Sequence, residues 1–197
     1  VNAVTPLLSE LKRHQVITHK AQENELIRVN IAFDQLELNG TLKSVSLANQ
    51  YLYRPTGALK AKDKIAGYLY HLAGCASGNV NTTLFLSLNG YLEYQQLTQQ
   101  EAYALSEKWV VLFKQIFTRP LPFFANAGFS YLQKRELATA EAVFSGTPFV
   151  GRNEVSDPYI SLDFSTLASV ADEFIALIET YLAPIDAIIT EHKYAKA

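Results

Sequence analysis

The sequence predicts a mixed α+β fold (α/β mixed), with a central mixed sheet flanked by helices and a helical part at the C-terminal end. Large apolar residues occupy every second position over 27–33, with Arg28 and Asn30 between the first three, which indicates a strand with one buried face. Apolar residues recur at helical spacing over 59–76 and again beyond residue 98. The predicted order is therefore helix, three antiparallel strands, helix and further strands.

The first predicted element is a helix over residues 5–22, with Pro6 in its first turn. The alternating strand comes next, and two more strands are predicted over 36–46 and 49–54. Local turn chemistry favours a hairpin at Asn39-Gly40, because Asn-Gly is a strong signal for a two-residue turn.

The next segments are a helix over 59–76 and two strands over 82–88 and 91–95. The helix is expected to bury one apolar face, formed by Ile65, Ala66, Leu69 and Leu72. Asn89-Gly90 predicts a type I′ hairpin between the two strands. A capping box then opens a long helix, whose apolar stripe is Ala102, Leu105, Trp109, Leu112, Phe113 and Ile116.

The last third of the chain reads as largely helical, with segments near 128–145 and 166–192. The second segment carries a clean apolar stripe: Leu167, Val170, Ala171, Phe174, Ile178, Tyr181, Leu182 and Ile185. Phe149–Phe164 lacks periodicity and is predicted to be a long loop of the kind that often docks a partner. We therefore expect one domain over 1–197, with an α/β core over 1–118 and a helical extension over 119–197.

Composition narrows the possible functions. The 197 residues carry a net charge of −2 and are 49% hydrophobic, which indicates a globular protein and argues against a free-standing, strongly basic DNA-binding protein. The single cysteine, Cys75, fits a reducing compartment and is expected to be a small buried residue. No apolar run approaches the length of a membrane span. The absence of methionine suggests a fragment of a longer chain.

The most informative stretch is residues 39–78, where a glycine-led strand at Gly40 carries Lys43 and the next strand ends at Tyr53, Arg54 and Pro55. This layout resembles the restriction-endonuclease-like PD-(D/E)xK core. In that core the first strand carries an acid, the second ends in Asp-x-Lys, and a helix packs over the site. Here Lys43 replaces the acid, Tyr53 replaces the Asp and Pro55 replaces the Lys. The resemblance therefore implies a degenerate nuclease site with no catalytic residue and no metal.

A more specific resemblance runs along nearly the whole chain. Its pieces are GTLKSV, YRPTGALKAKD, IAGYLYHLAGCASG, LFLSLNG, ALSEKWVVLFKQIFTRPLPFF, AEAVFSG and FVGRNEVSDPYISLDF. In this order they resemble the C-terminal domain family of RecC, the gamma subunit of exodeoxyribonuclease V. The resemblance places the first hairpin turn at Asp34-Gln35 and leaves Gly40 inside a long, bent strand. We favour that turn over Asn39-Gly40.

The resemblance also implies partners and a cellular role. RecB and RecD would be the companion subunits, and double-strand ends and unwound strands would be the DNA. The complex is expected to use ATP and Mg²⁺ through other subunits and to process double-strand breaks for homologous recombination in the bacterial cytoplasm. This domain would need no cofactor and would act as a scaffold and DNA-guiding element.

Five basic residues lie within 22 positions of this net-acidic chain: Lys43, Arg54, Lys60, Lys62 and Lys64. One interpretation is a surface that contacts DNA phosphates and positions the strand without reading its sequence. The other is a solvated helix face and ordinary strand edges. Nearby tyrosines offer a similar choice between stacking on unpaired bases and core packing, the latter favoured; they are Tyr51, Tyr53, Tyr68 and Tyr70.

Other chemistry-bearing residues are scattered. His14 and His19 diverge on their predicted helix and cannot share a metal, and His71 and His192 are isolated. Asp63, the one acid near the degenerate site, is expected to compensate the helix dipole. Two alternatives remain open beside the scaffold and DNA-guiding role: a protein-interaction module without DNA contact, and, much less favoured, an active nuclease with a relocated metal site.

Overall fold

The computed structural model describes residue 9 and residues 25–34, 36–54, 57–146 and 153–194. The helix predicted over 5–22, with His14 and His19, lies outside this part apart from Ser9, as does Pro55. The described chain contains a mixed sheet, as predicted, and the sheet has six strands. Its strands lie side by side in chain order: β1 (Glu25–Phe33), β2 (Leu36–Ser46), β3 (Asn49–Tyr53), β4 (Thr82–Leu86), β5 (Gly90–Tyr94) and β6 (Ile189–Lys193).

The β1–β2 hairpin turns between Phe33 and Leu36, which pair with each other. The prediction of a turn at Asp34-Gln35 is therefore confirmed, and the alternative at Asn39-Gly40 is wrong. Gly40 lies inside β2 opposite Val29. Further along β2 the register shifts by one residue, as in a β-bulge, and Ser44 there has a positive φ of 57°.

The β2–β3 hairpin closes through Leu47 and Ala48, whose φ angles are 50° and 60°. Positive φ at both central residues is the requirement of a type I′ turn, which normally selects Asn or Gly. The strand boundaries predicted on either side of this turn are confirmed, although neither turn residue is of the preferred type. Side chains in this region of φ cost about 1–2 kcal/mol each, so pairing of the flanking strands must offset the strain.

Helix α1 (Ala61–Ala76) connects β3 to β4, which run parallel to each other. Its buried face matches the prediction only in part. Leu72 is buried as predicted, but Leu69 is 39% exposed. Tyr68 and His71 are buried although the prediction did not include them. Close packing at Gly67 explains the rotation, since a methyl group there would overlap the ring and hydroxyl of Tyr94. The Tyr94 hydroxyl donates a 2.8 Å hydrogen bond to the Lys64 carbonyl.

The antiparallel β4–β5 hairpin is also present, but its turn is not type I′. Only Gly90 of the predicted Asn-Gly pair has a positive φ, at 154°. The Ser87 side chain explains the difference: its hydroxyl donates to the Gly90 carbonyl at 2.8 Å and accepts from the Asn89 amide at 3.3 Å. This side-chain bridge replaces the two-residue turn.

Helix α2 (Gln99–Ile116) begins with the predicted capping box. The Thr98 amide donates to the Glu101 carboxylate at 2.9 Å, and the Glu101 amide donates back to the Thr98 hydroxyl at 3.2 Å.

Within the described ranges, no helix is both long enough and apolar enough to cross a membrane.

Two compact units are distinguishable in the described chain. One comprises the residues up to Val110 together with those from Ile188 onward, and the other comprises Val111 to Ala187. The second unit contains α3 (Ala125–Lys134), α4 (Leu137–Ser145), a 3-10 turn (Glu154–Ser156), α5 (Pro158–Asp163), a 3-10 turn (Ala168–Val170), α6 (Ala171–Leu177), a π turn (Ile178–Leu182) and the start of α7 (Ala183–Ile188).

The C-terminal predictions are corrected in three places. The segment predicted near 128–145 is two helices, because Arg135 adopts a left-handed φ of 58°. The predicted loop at 149–164 contains the 3-10 turn and α5 in its described part. The last predicted helix ends at Ile188 and is followed by β6, which pairs with β5. Its predicted stripe is largely buried, including Leu167, Phe174, Ile178, Leu182 and Ile185.

Candidate nucleic-acid interface

The end of β3 and the start of α1 are joined by an ion pair between Arg54 and Asp63. Nη1 of Arg54 lies 2.8 Å and 2.7 Å from the two carboxylate oxygens of Asp63. The same carboxylate accepts the Lys60 backbone amide at 2.8 Å and thereby caps the helix. Asp63 is buried, and its carboxylate lies in the first turn of the helix, where an acid compensates the helix dipole as predicted. The sequence did not predict its pairing with Arg54.

A second ion pair compensates the charge of Lys64, another of the five candidate DNA-binding residues. The ammonium group of Lys64 on α1 contacts the carboxylate of Glu191 on β6. Glu191 lies 127 positions further along the chain, so this pairing could not be found from local sequence. Two of the five predicted basic residues, Arg54 and Lys64, are therefore compensated by acids within the fold.

The remaining three basic residues, Lys43, Lys60 and Lys62, are exposed. Lys60 and Lys62 lie at the start of α1, immediately beside the Arg54–Asp63 pair. Lys43 lies on β2 next to the bulge at Ser44, and no contact in the described part of the chain joins it to the other two. Among the described residues, none of the three takes part in a salt bridge. Their charges are available to a ligand.

The four tyrosines near this region separate into two classes. Tyr51 and Tyr68 are buried, and burial raises the pKa of both phenols. Tyr53 and Tyr70 are exposed, with about half of each side chain accessible. Core packing therefore accounts for one pair, and only Tyr53 and Tyr70 present rings that a base could stack on.

The donor set at Lys43 and Tyr53 does not fit Mg²⁺, which prefers carboxylate, carbonyl and water oxygens in octahedral geometry. Lys43 brings a positive charge, and Tyr53 brings a neutral phenol. Both oxygens of Asp63 already accept hydrogen bonds from Arg54. Within the ranges that the structure covers, no group of three or more His, Cys, Asp or Glu side chains is placed to hold a metal.

His71 and Cys75 of α1 belong to a buried polar cluster. The sequence indicated only an isolated histidine and a single cysteine. Nε2 of His71 lies 2.9 Å from the Gln95 carbonyl and Nδ1 lies 3.0 Å from the Thr83 hydroxyl. Because a carbonyl only accepts, Nε2 carries the proton and Nδ1 accepts from Thr83. Burial lowers the pKa of His71 to about 4, despite the opposing hydrogen bond to Gln95.

Cys75 belongs to the same cluster. Its sulfur lies 3.6 Å from Nε2 of His71, and burial raises the pKa of the thiol. The prediction that Cys75 is a small buried residue is confirmed. A thiol with a raised pKa beside a neutral imidazole is poorly suited to nucleophilic chemistry.

Comparison with known proteins agrees with the resemblance to the RecC C-terminal domain family that runs along nearly the whole chain. The profile of the family described as the RecC C-terminal domain matches residues 3–136, which is more than half of the chain. No curated protein gave a significant match. The matched range contains Tyr53, the Arg54–Asp63 pair and all three exposed lysines. The chain belongs to the RecC C-terminal domain family.

Proposed function

We propose that this chain is a non-catalytic domain of a RecC-type subunit of exodeoxyribonuclease V and acts as a subunit scaffold and DNA-guiding element. Its companions would be RecB and RecD in the bacterial cytoplasm. The complex would unwind and degrade double-strand ends for homologous recombination, with ATP and Mg²⁺ used by other subunits. Membership of the RecC C-terminal domain family supports a role related to RecBCD.

The observation that carries the non-catalytic part of the proposal is the state of Asp63. Hydrolysis of a phosphodiester with Mg²⁺ requires carboxylates that are free to bind the ion. Asp63 is the one acid near the degenerate positions in sequence, and it is buried, capping α1 and paired with Arg54. Lys43 and Tyr53 supply no replacement carboxylate.

The DNA-guiding part of the proposal rests on Lys43, Lys60 and Lys62. These side chains are exposed, and lysine contacts to phosphates position a strand without selecting a sequence. Arg54 and Lys64 are left out of the assignment, because Asp63 and Glu191 already compensate their charges. Tyr53 and Tyr70 would add stacking to unpaired bases after strand separation.

The salt dependence of DNA binding tests this assignment in the reassembled complex. Removal of one lysine–phosphate interaction with duplex DNA lowers the slope of log Kobs against log salt by about 0.9. We expect the combined change Lys43→Ala, Lys60→Ala and Lys62→Ala to reduce the slope by about 2–3, similarly for unrelated DNA sequences.

The matched control is Lys108→Ala, Lys114→Ala and Lys134→Ala, which removes the same charge from three other exposed lysines. Its slope should stay at the wild-type value. An unchanged slope for the first variant would leave the domain as a protein scaffold without DNA contact. Equal changes in both variants would show a general charge effect and would also reject the assignment.

A further inference from the structure

Helix α5 presents two large apolar side chains to solvent. Tyr159 is 82% exposed and Leu162 is 80% exposed, which makes them the most exposed of the large apolar residues in the described chain. Three positions separate them, so they lie on the same face of the helix. We call this pair the α5 anchor. Neither side chain contributes to the core.

Contacts on both sides of α5 fix the segment that carries the anchor. The Glu154 carboxylate accepts the backbone amides of Asn126 and Ala127, both at 3.0 Å. Asp157 caps α5 by accepting the Tyr159 amide at 2.9 Å. The Phe164 ring meets Phe124 edge-on at 5.3 Å. These contacts fix the backbone of α5, which reduces the backbone entropy lost on binding.

The sequence around the anchor is rich in acidic residues. Residues 153–187 contain no lysine, arginine or histidine and seven acids: Glu154, Asp157, Asp163, Asp172, Glu173, Glu179 and Asp186. Glu173 and Glu179 are paired with Arg119 and Arg135. Asp157, which precedes α5, and Asp163, the last residue of α5, make no ion pair within the described residues. Such a surface repels DNA phosphates and complements a basic one.

We infer that the α5 anchor docks into an apolar pocket bordered by lysine or arginine on a companion subunit of exodeoxyribonuclease V. Tyrosine in a desolvated pocket is a typical interface hot spot, and acids around it would pair with the basic border. The inference rests on the proposed scaffold function and names the surface that performs it. This surface lies beyond residue 136, where the family match ends.

The direct test is the combined change Tyr159→Ser and Leu162→Ser in the full RecC-type chain. Because both side chains are exposed, the fold should be retained, which circular dichroism would check. We expect association with purified RecB or RecD to weaken by at least ~30-fold, as for the loss of an interface hot spot. The measurement is a binding titration of the labelled companion subunit.

The control is Leu26→Ser with Leu47→Ser, two apolar residues of the sheet unit that are 69% and 73% exposed. This variant should bind the companion subunits as the wild type does. A further variant, Asp163→Lys, should weaken association at low salt and have a smaller effect at high salt, because the contact is electrostatic.

The outcomes separate this inference from the proposed function. Affinity within twofold of wild type for the serine pair, or an equal loss in the control, overturns the α5 anchor alone. A wild-type chain that binds neither RecB nor RecD overturns the scaffold function and the anchor together. The lysine variants that test DNA contact involve none of these residues, so that result is independent of the titration.

Discussion

Replacement of Asp63 with alanine is expected to lower the free energy of unfolding by about 3 kcal/mol. The change leaves Arg54 without its carboxylate and removes the acceptor of the Lys60 amide at the start of α1. Loss of one partner from a buried ion pair costs about 3–5 kcal/mol. The lower end applies, because the side chains of Arg54 and Asp63 are 20% and 11% exposed.

The Lys64–Glu191 pair provides the comparison, because the Glu191 side chain is 52% exposed. Glu191→Ala should cost less than about 1 kcal/mol, as is usual for surface ion pairs. Urea denaturation of the two variants and the wild type measures both values. Similar costs for Asp63→Ala and Glu191→Ala would mean that the Arg54–Asp63 pair does not fix α1 to β3.

Acidification should destabilise the fold through His71. Its pKa is lowered from 6.5 to about 4 by burial, so the folded state holds the neutral imidazole. The groups that face the ring are the Thr83 hydroxyl, the Gln95 carbonyl, the Cys75 thiol and the Tyr94 ring; none is a carboxylate that would stabilise a charged imidazole. The contribution of neutral His71 to the free energy of unfolding is complete above pH 6.5. It is lost as the pH falls toward 4.

The expected loss over that interval is about 3 kcal/mol, from about 1.4 kcal/mol for each pH unit between the two pKa values. His71→Asn should remove this part of the pH dependence, whatever its effect on stability at pH 7. Nuclear magnetic resonance of the wild type gives a second measurement, because the His71 ring should stay neutral down to about pH 5. Protonation of the folded state near pH 6.5 would contradict the account.

Much of the sheet could be predicted from the sequence, because alternation and turn residues are local signals. The alternating residues of β1, the boundaries of β2 and the capping box at Thr98 were all read correctly. β6 was missed, because its strand character depends on pairing with β5 about a hundred positions earlier. The buried face of α1 was predicted only in part, because the fit of Gly67 against Tyr94 is a tertiary contact.

The candidate site was only partly predictable for the same reason. The sequence identified five basic residues near the degenerate positions but could not separate them. Asp63 compensates Arg54 from nine positions away, and Glu191 compensates Lys64 from 127 positions away. The separation into two paired and three exposed cations arises from the fold. The α5 anchor was missed because an aperiodic segment was read as a loop.

The most direct test of the central claim is a structure of the assembled complex on forked DNA with millimolar Mg²⁺. We predict ammonium groups of Lys43, Lys60 and Lys62 within about 4 Å of phosphate oxygens, and no ion coordinated by residues 43 and 53. A magnesium ion held at those positions, or DNA that passes the domain without approaching any of the three lysines, would contradict the account.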